Sequence, residues 1–279
     1  MRDLSNDTSI LSLNSATIRK QWKLEKIIDG CARFEFGAIS PWRDQIKEFG
    51  LNKTVRLIKE ANLRVSGLCR GGMFPAKDKK DFKYNIENNR KAIDEAAALS
   101  AACLVLVVGG LADGEKDIAN ARNQVEDGIE EILEYARASE VSLAIEPLHP
   151  MYAADRSCVN TLSQALDICD RLGEGLGVVI DVYHLWWDPD LNEQIKRAGS
   201  KGRLLAYHVC DWLVPTRDLL LDRGMMGDGI IELKKIRNWI EEAGYNGTCE
   251  VEIFSEKNWW KRPGDEVLKT IIARCKSVV

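Results

Sequence analysis

Short apolar runs alternate with amphipathic stretches along the whole chain. Ile10-Leu11-Ser12-Leu13 opens the series, and in the stretch after it Leu24, Ile27 and Ile28 are spaced to line one helical face. Phe34-Glu35-Phe36 reads as a second strand and residues 46–61 as a second helix. Residues 63–68 predict a third strand, closed by Cys69-Arg70-Gly71-Gly72, and residues 84–100 a packed helix rich in alanine. Cys103-Leu104-Val105-Leu106-Val107-Val108, ended by Gly109-Gly110, has the continuous apolar character of a strand covered on both faces. Next come a helix over 117–138, a strand over 141–145, and a helix that Thr161 caps and Gly173 ends. Strands over 176–180 and 204–209, a helix over 231–243, a strand over 248–253 and a helix over 265–276 complete the pattern.

Eight strands, each followed by a helical segment and with no linker between them, imply parallel strands joined by helices. A chain of 279 residues is the usual size of a closed (β/α)8 TIM barrel, taken as a single domain over residues 1–279. The rival, a doubly wound open sheet, normally carries a glycine-rich turn after its first strand; Leu13-Asn14-Ser15-Ala16-Thr17 has none.

Composition narrows the function classes. A formal charge of −4 argues against nucleic acid as a partner. No apolar run approaches bilayer length, and Met1-Arg2-Asp3-Leu4-Ser5-Asn6-Asp7 lacks the apolar stretch of a signal peptide, so no membrane partner and a cytoplasmic location are expected. The eight cysteines form no C-x-x-C pair and mostly sit in or beside apolar segments, where packing is the expected role. Cys31 and Cys69, near element ends, have pocket lining as the alternative.

The candidate chemistry lies at strand ends. All three histidines follow apolar runs and stand within three positions of a carboxylate: Glu146 and His149, Asp181 and His184, His208 and Asp211. In a barrel, catalytic groups gather at the C-terminal ends of the strands. Glu146, Asp181, His208 and Glu252 end four consecutive strands and would aim three carboxylates and one imidazole at the barrel mouth. A lone carboxylate or histidine at a strand end is usually solvated, paired or a satisfied core group; four in succession point to a shared cation. An oxygen-rich set with one histidine suits one divalent ion such as Mn²⁺, Mg²⁺ or Co²⁺, with Zn²⁺ also open.

Ile145-Glu146-Pro147, Ile180-Asp181-Val182-Tyr183-His184, His208-Val209-Cys210-Asp211 and Glu252-Ile253-Phe254 together resemble the metal motifs of the xylose isomerase-like sugar phosphate isomerase/epimerase superfamily, from about Leu11 to the last helix. The resemblance implies that Glu146, Asp181, His208 and Glu252 bind one Mn²⁺-like ion and that His184 contacts substrate. Arg223-Gly224-Met225-Met226-Gly227-Asp228-Gly229 is similar to the family's Arg and Gly-x-Gly turn, which implies a guanidinium on a substrate hydroxyl, carbonyl or phosphate. The implied chemistry is proton transfer next to a sugar carbonyl through an enediolate stabilised by the ion, with Glu146 and Glu252 as the acid/base pair.

One departure opens an alternative. Where keto-hexose epimerases of the family carry Glu six residues after the metal Glu, this chain has Tyr152, and His149 stands where they have an amide. A histidine there offers a further acid/base group, as in relatives that are dehydratases or deglycosidases, so a metal-dependent lyase acting through His149 stands beside the isomerase. Orienting Glu146 is the plainer role for His149. Trp186-Trp187, Trp212 and Trp259-Trp260 fall on the mouth side and suit a carbohydrate face, loop packing or a homo-oligomer contact. Arg70 follows the third strand and is placed to reach the same pocket. The family's DNA-repair branch needs more histidines than this chain has. A non-catalytic metal- or sugar-binding barrel would be expected to have lost a ligand, and none is missing.

Overall fold

The structure, a computed structural model, describes residues 7–279; Met1–Asn6, most of the segment read above for a signal peptide, lies outside the described residues. The strands are β1 (Leu11–Asn14), β2 (Ala38–Ser40), β3 (Arg64–Val65), β4 (Leu68–Gly72), β5 (Leu104–Val107), β6 (Leu143–Ile145), β7 (Leu176–Asp181), β8 (Leu204–Val209), β9 (Asp211–Trp212), β10 (Arg223–Gly224) and β11 (Cys249–Val251). Around them run α1 (Leu24–Arg33), α2 (Arg43–Phe49), α3 (Leu51–Glu60), α4 (Lys79–Ala98), α5 (Ile118–Ala138), α6 (Leu162–Leu172), α7 (Val182–Leu185), α8 (Leu191–Ser200), α9 (Leu233–Glu242) and α10 (Gly264–Val278). Nine strands pair in parallel in the order β3-β2-β1-β11-β8-β7-β6-β5-β4, while β9 and β10 form a separate antiparallel pair. The two ends of that order, β3 and β4, are neighbouring pieces of one barrel strand separated by Ser66 and Gly67. Ser66 N–H donates to Ile39 O and Cys69 N–H to Pro41 O, so the sheet closes into a TIM barrel.

Strand alternation sorts the side chains into two environments. Leu104, Leu106, Leu143, Ile145, Val178 and Ile180 point outward into the large apolar layer beneath the helices. Cys103, Val105, Ala144, Val179 and Ala206 form a smaller inner cluster on the barrel axis. Caps fix the helix starts: Asp78 accepts from Asp81 N–H, Asp117 from Ala119 and Asn120 N–H, and Thr161 with Gln164 forms a reciprocal capping box.

Three local readings change. Phe34-Glu35-Phe36 is not a strand: α1 ends there in a paired turn, Phe36 N–H donating to Cys31 O and Glu35 N–H to Ala32 O, with Glu35 at φ 57°. This is the usual left-handed helix stop with Glu in the place glycine commonly takes, and the second strand begins at Ala38. The helix read over 46–61 is two helices broken at Gly50, whose φ of 104° no ordinary residue adopts easily. The third strand is interrupted and extends beyond Leu68 to Gly72. All eight cysteines are free and buried; Cys31 packs in the outer core, and Cys69 faces the pocket described below. No helix among the described residues is long and apolar enough to cross a membrane.

Phe74, just beyond β4, is fully buried, and its ring fills the space that a side chain at Gly128 of α5 would occupy. It therefore locks the β4 end of the barrel to the helical layer. Phe74→Ala is expected to lower stability by about 3–5 kcal/mol, read from urea unfolding, whereas an effect below about 1 kcal/mol would contradict this packing.

Candidate active site

Glu146, Asp181, His208 and Glu252 lie at or just past the C-terminal ends of β6, β7, β8 and β11, and one potential ligand atom from each falls within 4.8 Å of all the others. Register explains the convergence: His208 pairs with Asp181 on one side and with Glu250 on the other, and Glu252 follows Glu250 on the same face. All four are buried, the most open, Glu146, being 6% exposed. At an effective dielectric constant near 20, two carboxylate charges this close repel by roughly 3–4 kcal/mol. Protonation or nearby positive charge must therefore offset this repulsion.

His208 is the pivot. Its Nδ1 lies 3.3 Å from Glu146 Oε1 and 4.0 Å from Glu252 Oε2, and its Nε2 lies 3.5 Å from Glu250 Oε1. Burial opposes charge on the ring, but Glu250, Glu146 and Glu252 outweigh it and push its pKa up to about 10. Neither ring nitrogen, although buried, has a hydrogen-bond partner among the described residues. An imidazole nitrogen left unpaired among oxygen donors fits a divalent cation in the same place.

The carboxylates are held from behind. Asn14, at the end of β1, donates through Nδ2 to Glu250 Oε1 (2.8 Å) and Glu252 Oε1 (3.0 Å), while its own oxygen accepts from the Trp42 indole and Ala16 N–H. Ser66 donates to Glu250 Oε2 and sits 2.6 Å from the Ser12 hydroxyl. Asp181 accepts from Tyr183 N–H, capping α7, which leaves its other oxygen facing the site. Burial raises the Asp181 pKa to about 6 despite the pull of Arg223, and burial likewise raises that of Glu252.

Arg223 is delivered by the β9–β10 pair, which the sequence pattern did not reveal. Its Nη1 donates to Glu252 Oε2 (3.0 Å) and Asp181 Oδ2 (3.3 Å), and its guanidinium lies between the Tyr183 and Phe254 rings, 4.3 and 4.9 Å from their centroids. Asp211 shapes this loop, accepting from Trp212, Gly227 and Ile231 N–H. Arg217, by contrast, pairs with Asp222. His184 accepts from His149 N–H at Nδ1, and its Nε2 lies 3.3 Å from Arg223 Nη2, so donors face both ring nitrogens. Burial and the neighbouring Arg223 hold its pKa well below the usual histidine range.

A pocket opens above these groups, walled by Glu146, Glu252, His184, Arg223, Arg70, Arg156, Tyr152, Leu148, Leu220, Trp42 and Phe254, among others. His149 and Trp212 are not in that wall. The His149 ring stacks on Trp212 at 5.1 Å and meets Trp187 edge-on, while Trp212 packs against Tyr183 and Trp186. Asn14, Glu250 and Arg156 escaped the sequence reading. Glu250 carried a usable signal, because it alternates with Glu252 and so shares its face; Asn14 and Arg156 carried none.

With this geometry in view, comparison with known proteins is specific. The profile of the xylose isomerase-like TIM barrel family matches residues 28–277. An inosose isomerase of Bacillus velezensis is 23% identical over 96% of each chain. An L-ribulose-5-phosphate 3-epimerase of Escherichia coli O157:H7 is 26% identical over 77% of this chain and 72% of its own. Among solved structures, a protein from Sinorhizobium meliloti 1021 is 57% identical with a TM-score of 0.96, covering 98% of this chain and 99% of that one. The IOLI protein, solved with a bound zinc atom, is 21% identical with a TM-score of 0.83, covering 96% of this chain and 97% of that one. The chain belongs to the xylose isomerase-like TIM barrel family.

Proposed function

We propose that this protein is a sugar isomerase or epimerase that moves a proton on a carbon next to a carbonyl. The observation that carries the reading is the convergence of Glu146, Asp181, His208 and Glu252 beneath a pocket whose wall also includes both glutamates. The names of the curated relatives, an inosose isomerase and a ribulose-phosphate epimerase, support the same class. Glu146, Asp181, His208 and Glu252 would hold one divalent ion, Mn²⁺ in our reading. When bound, the ion would supply Lewis-acid stabilisation of the charge that develops on substrate oxygen.

The chain's own groups do the rest. Glu252 takes the proton: it lines the pocket, and Asn14 and Arg223 each fix one of its oxygens. Glu146, the other glutamate in the pocket wall, would pass a proton taken up from solvent to the substrate carbon. His184, held neutral by burial and Arg223, lines the pocket where a substrate oxygen would lie, and Arg223 keeps Glu252 and Asp181 in place while presenting positive charge to the pocket. The lyase alternative needs the His149 ring beside the substrate. That ring is stacked on Trp212 outside the pocket wall, which favours proton transfer by the two glutamates.

Glu250 supports the ion from behind, lying 3.5 Å from His208 Nε2 while Nδ1 faces Glu146 and Glu252. A carboxylate behind a metal-binding imidazole fixes its tautomer and raises its basicity.

Incubating ketoses in D₂O with Mn²⁺ and following them by NMR tests the reaction: deuterium should appear next to the carbonyl in an epimeric or aldose product. Glu252→Gln should slow that exchange by about 10²-fold or more, and full exchange by this variant would remove Glu252 from the mechanism. Loss of a β-substituent in place of exchange would point to the lyase. Calorimetric titration with Mn²⁺ tests the cation: wild-type protein should bind it, and Glu250→Gln should weaken binding by about 10- to 100-fold. Unchanged affinity in that variant would show that Glu250 does not act through His208.

A further inference from the structure

The pocket holds two guanidinium groups that the proton-transfer chemistry does not use. Arg70 lies where the pairing of β4 with β5 shifts register: Cys69 pairs with Val105 and Gly71 with Leu106, leaving Arg70 without a partner position. A bulge of this kind re-aims one side chain out of the strand's regular alternation, and here that side chain enters the pocket wall. The local backbone is rigid. Gly71 is too close to Asn89 and Leu106 to carry a Cβ, and Arg43, itself paired with Glu95, donates to the Arg70 carbonyl. The Arg70 guanidinium has no carboxylate or hydrogen-bond partner among the described residues.

Arg156 reaches the same pocket from the loop after β6. Its backbone is tied on both sides, its N–H donating to Tyr152 O and its carbonyl accepting from Gly109 N–H. Its guanidinium lies 5.5 Å from the Tyr152 ring centroid, and its Nε is buried without a hydrogen-bond partner. Its one nearby carboxylate, Asp155, stands 3.6 Å away, beyond hydrogen-bond reach, and is mostly exposed. Burial and the charge of Arg156 work against the charge on Arg70 and outweigh the attraction of Glu146 and Asp44, neither of which bonds to it. Two partly buried guanidiniums that repel each other, and lack a shared carboxylate, form an arrangement that an entering anion stabilises. The planar donor fork of arginine matches the oxygens of a phosphate or carboxylate.

The geometry points to an anion subsite formed by Arg70 and Arg156, so that the sugar this pocket takes carries a phosphate or carboxylate group. This rests on the isomerase reading, because it places the carbonyl end of the same molecule at Glu146 and Glu252. It also separates the substrate from a neutral ketose or cyclitol, which offers nothing for these two arginines to bind.

Calorimetry on the Mn²⁺-loaded protein compares D-ribulose 5-phosphate, 5-keto-D-gluconate and neutral D-ribulose. At least one anion is expected to bind about 10- to 100-fold more tightly than the neutral sugar, the worth of one charge-assisted hydrogen-bonded contact. Which anion is preferred distinguishes phosphate from carboxylate. In Arg70→Gln and Arg156→Gln that preference should fall by about 10-fold or more; Arg156, partly exposed, gives a variant that keeps the test open if the other fails to fold. Equal affinity for neutral and anionic sugars, or an undiminished preference in both variants, would overturn the subsite. Deuterium exchange recorded on the same sugars separates the two ideas. Exchange without anion preference removes the subsite alone, and anion preference without exchange removes the isomerase reading while the subsite stands.

Discussion

Glu146, Asp181, Glu250 and Glu252 are all buried at one end of a barrel, and the rest of the site is organised around keeping that negative charge tolerable. Three kinds of group meet the requirement. Arg223 bridges Asp181 and Glu252 directly, and His208 stands within reach of Glu146, Glu250 and Glu252. Neutral donors do the remainder: Asn14 and Ser66 bind the oxygens of Glu250 and Glu252 without adding charge. The arrangement is asymmetric, because positive and neutral donors crowd Glu252 and Glu250, while Glu146 meets the site chiefly through His208. That asymmetry gives the two pocket-lining glutamates different surroundings.

The barrel delivers these groups by simple strand periodicity. Each strand that ends in a site residue directs its outward side chains into the helical layer and its inward ones to the axis, so one position out of register would send a carboxylate into the apolar core. Small inward residues below the site, Ser12, Ser66, Ala144 and Ala206, leave room on the axis for Glu250 and its hydroxyl partners. The β9–β10 pair then folds the segment after β8 back so that Arg223 sits beside Trp212, above the carboxylates it neutralises. Tyr152 and Tyr183 donate to the same carbonyl, that of Leu219, and so tie the intervening loop to the pocket rim.

How much of this was legible in the sequence follows from the range of each signal. Strands β5, β7 and β8 were readable because a buried parallel strand needs an unbroken apolar run, and in β7 and β8 that run leads directly to Asp181 and His208. The barrel followed from counting those runs. The end of α1 was misread because Phe34 and Phe36 alternate as strand residues do, while Glu35 takes the left-handed turn where glycine is the usual marker. Asn14 and Arg156 depend on contacts between segments far apart in the chain, such as Asn14 with Glu252, which no local pattern records, and the β9–β10 strands, two residues each, are too short to show an alternation. His149 was conspicuous as one of three histidines, yet the structure gives its ring to an aromatic stack and its backbone N–H to His184.

The inner layer also shows what the fold gives up for its site. A barrel axis filled with Val and Ala would be more stable than one holding Glu250, Ser66, Ser12 and Asn14, because buried polar groups at best recover their desolvation through hydrogen bonds. Here the recovery is nearly complete for Glu250 and Glu252, whose oxygens meet Asn14, Ser66 and Arg223. It is incomplete for His208 and for the Arg223 Nε, which stay buried without hydrogen-bond partners. Unpaired groups of this kind persist where the surrounding structure can hold them, and the continuous apolar layer outside the strands supplies that support. The deficit falls on the nitrogens facing the carboxylate cluster and pocket, so the stability forgone in the inner layer is concentrated where an ion and a substrate would bind.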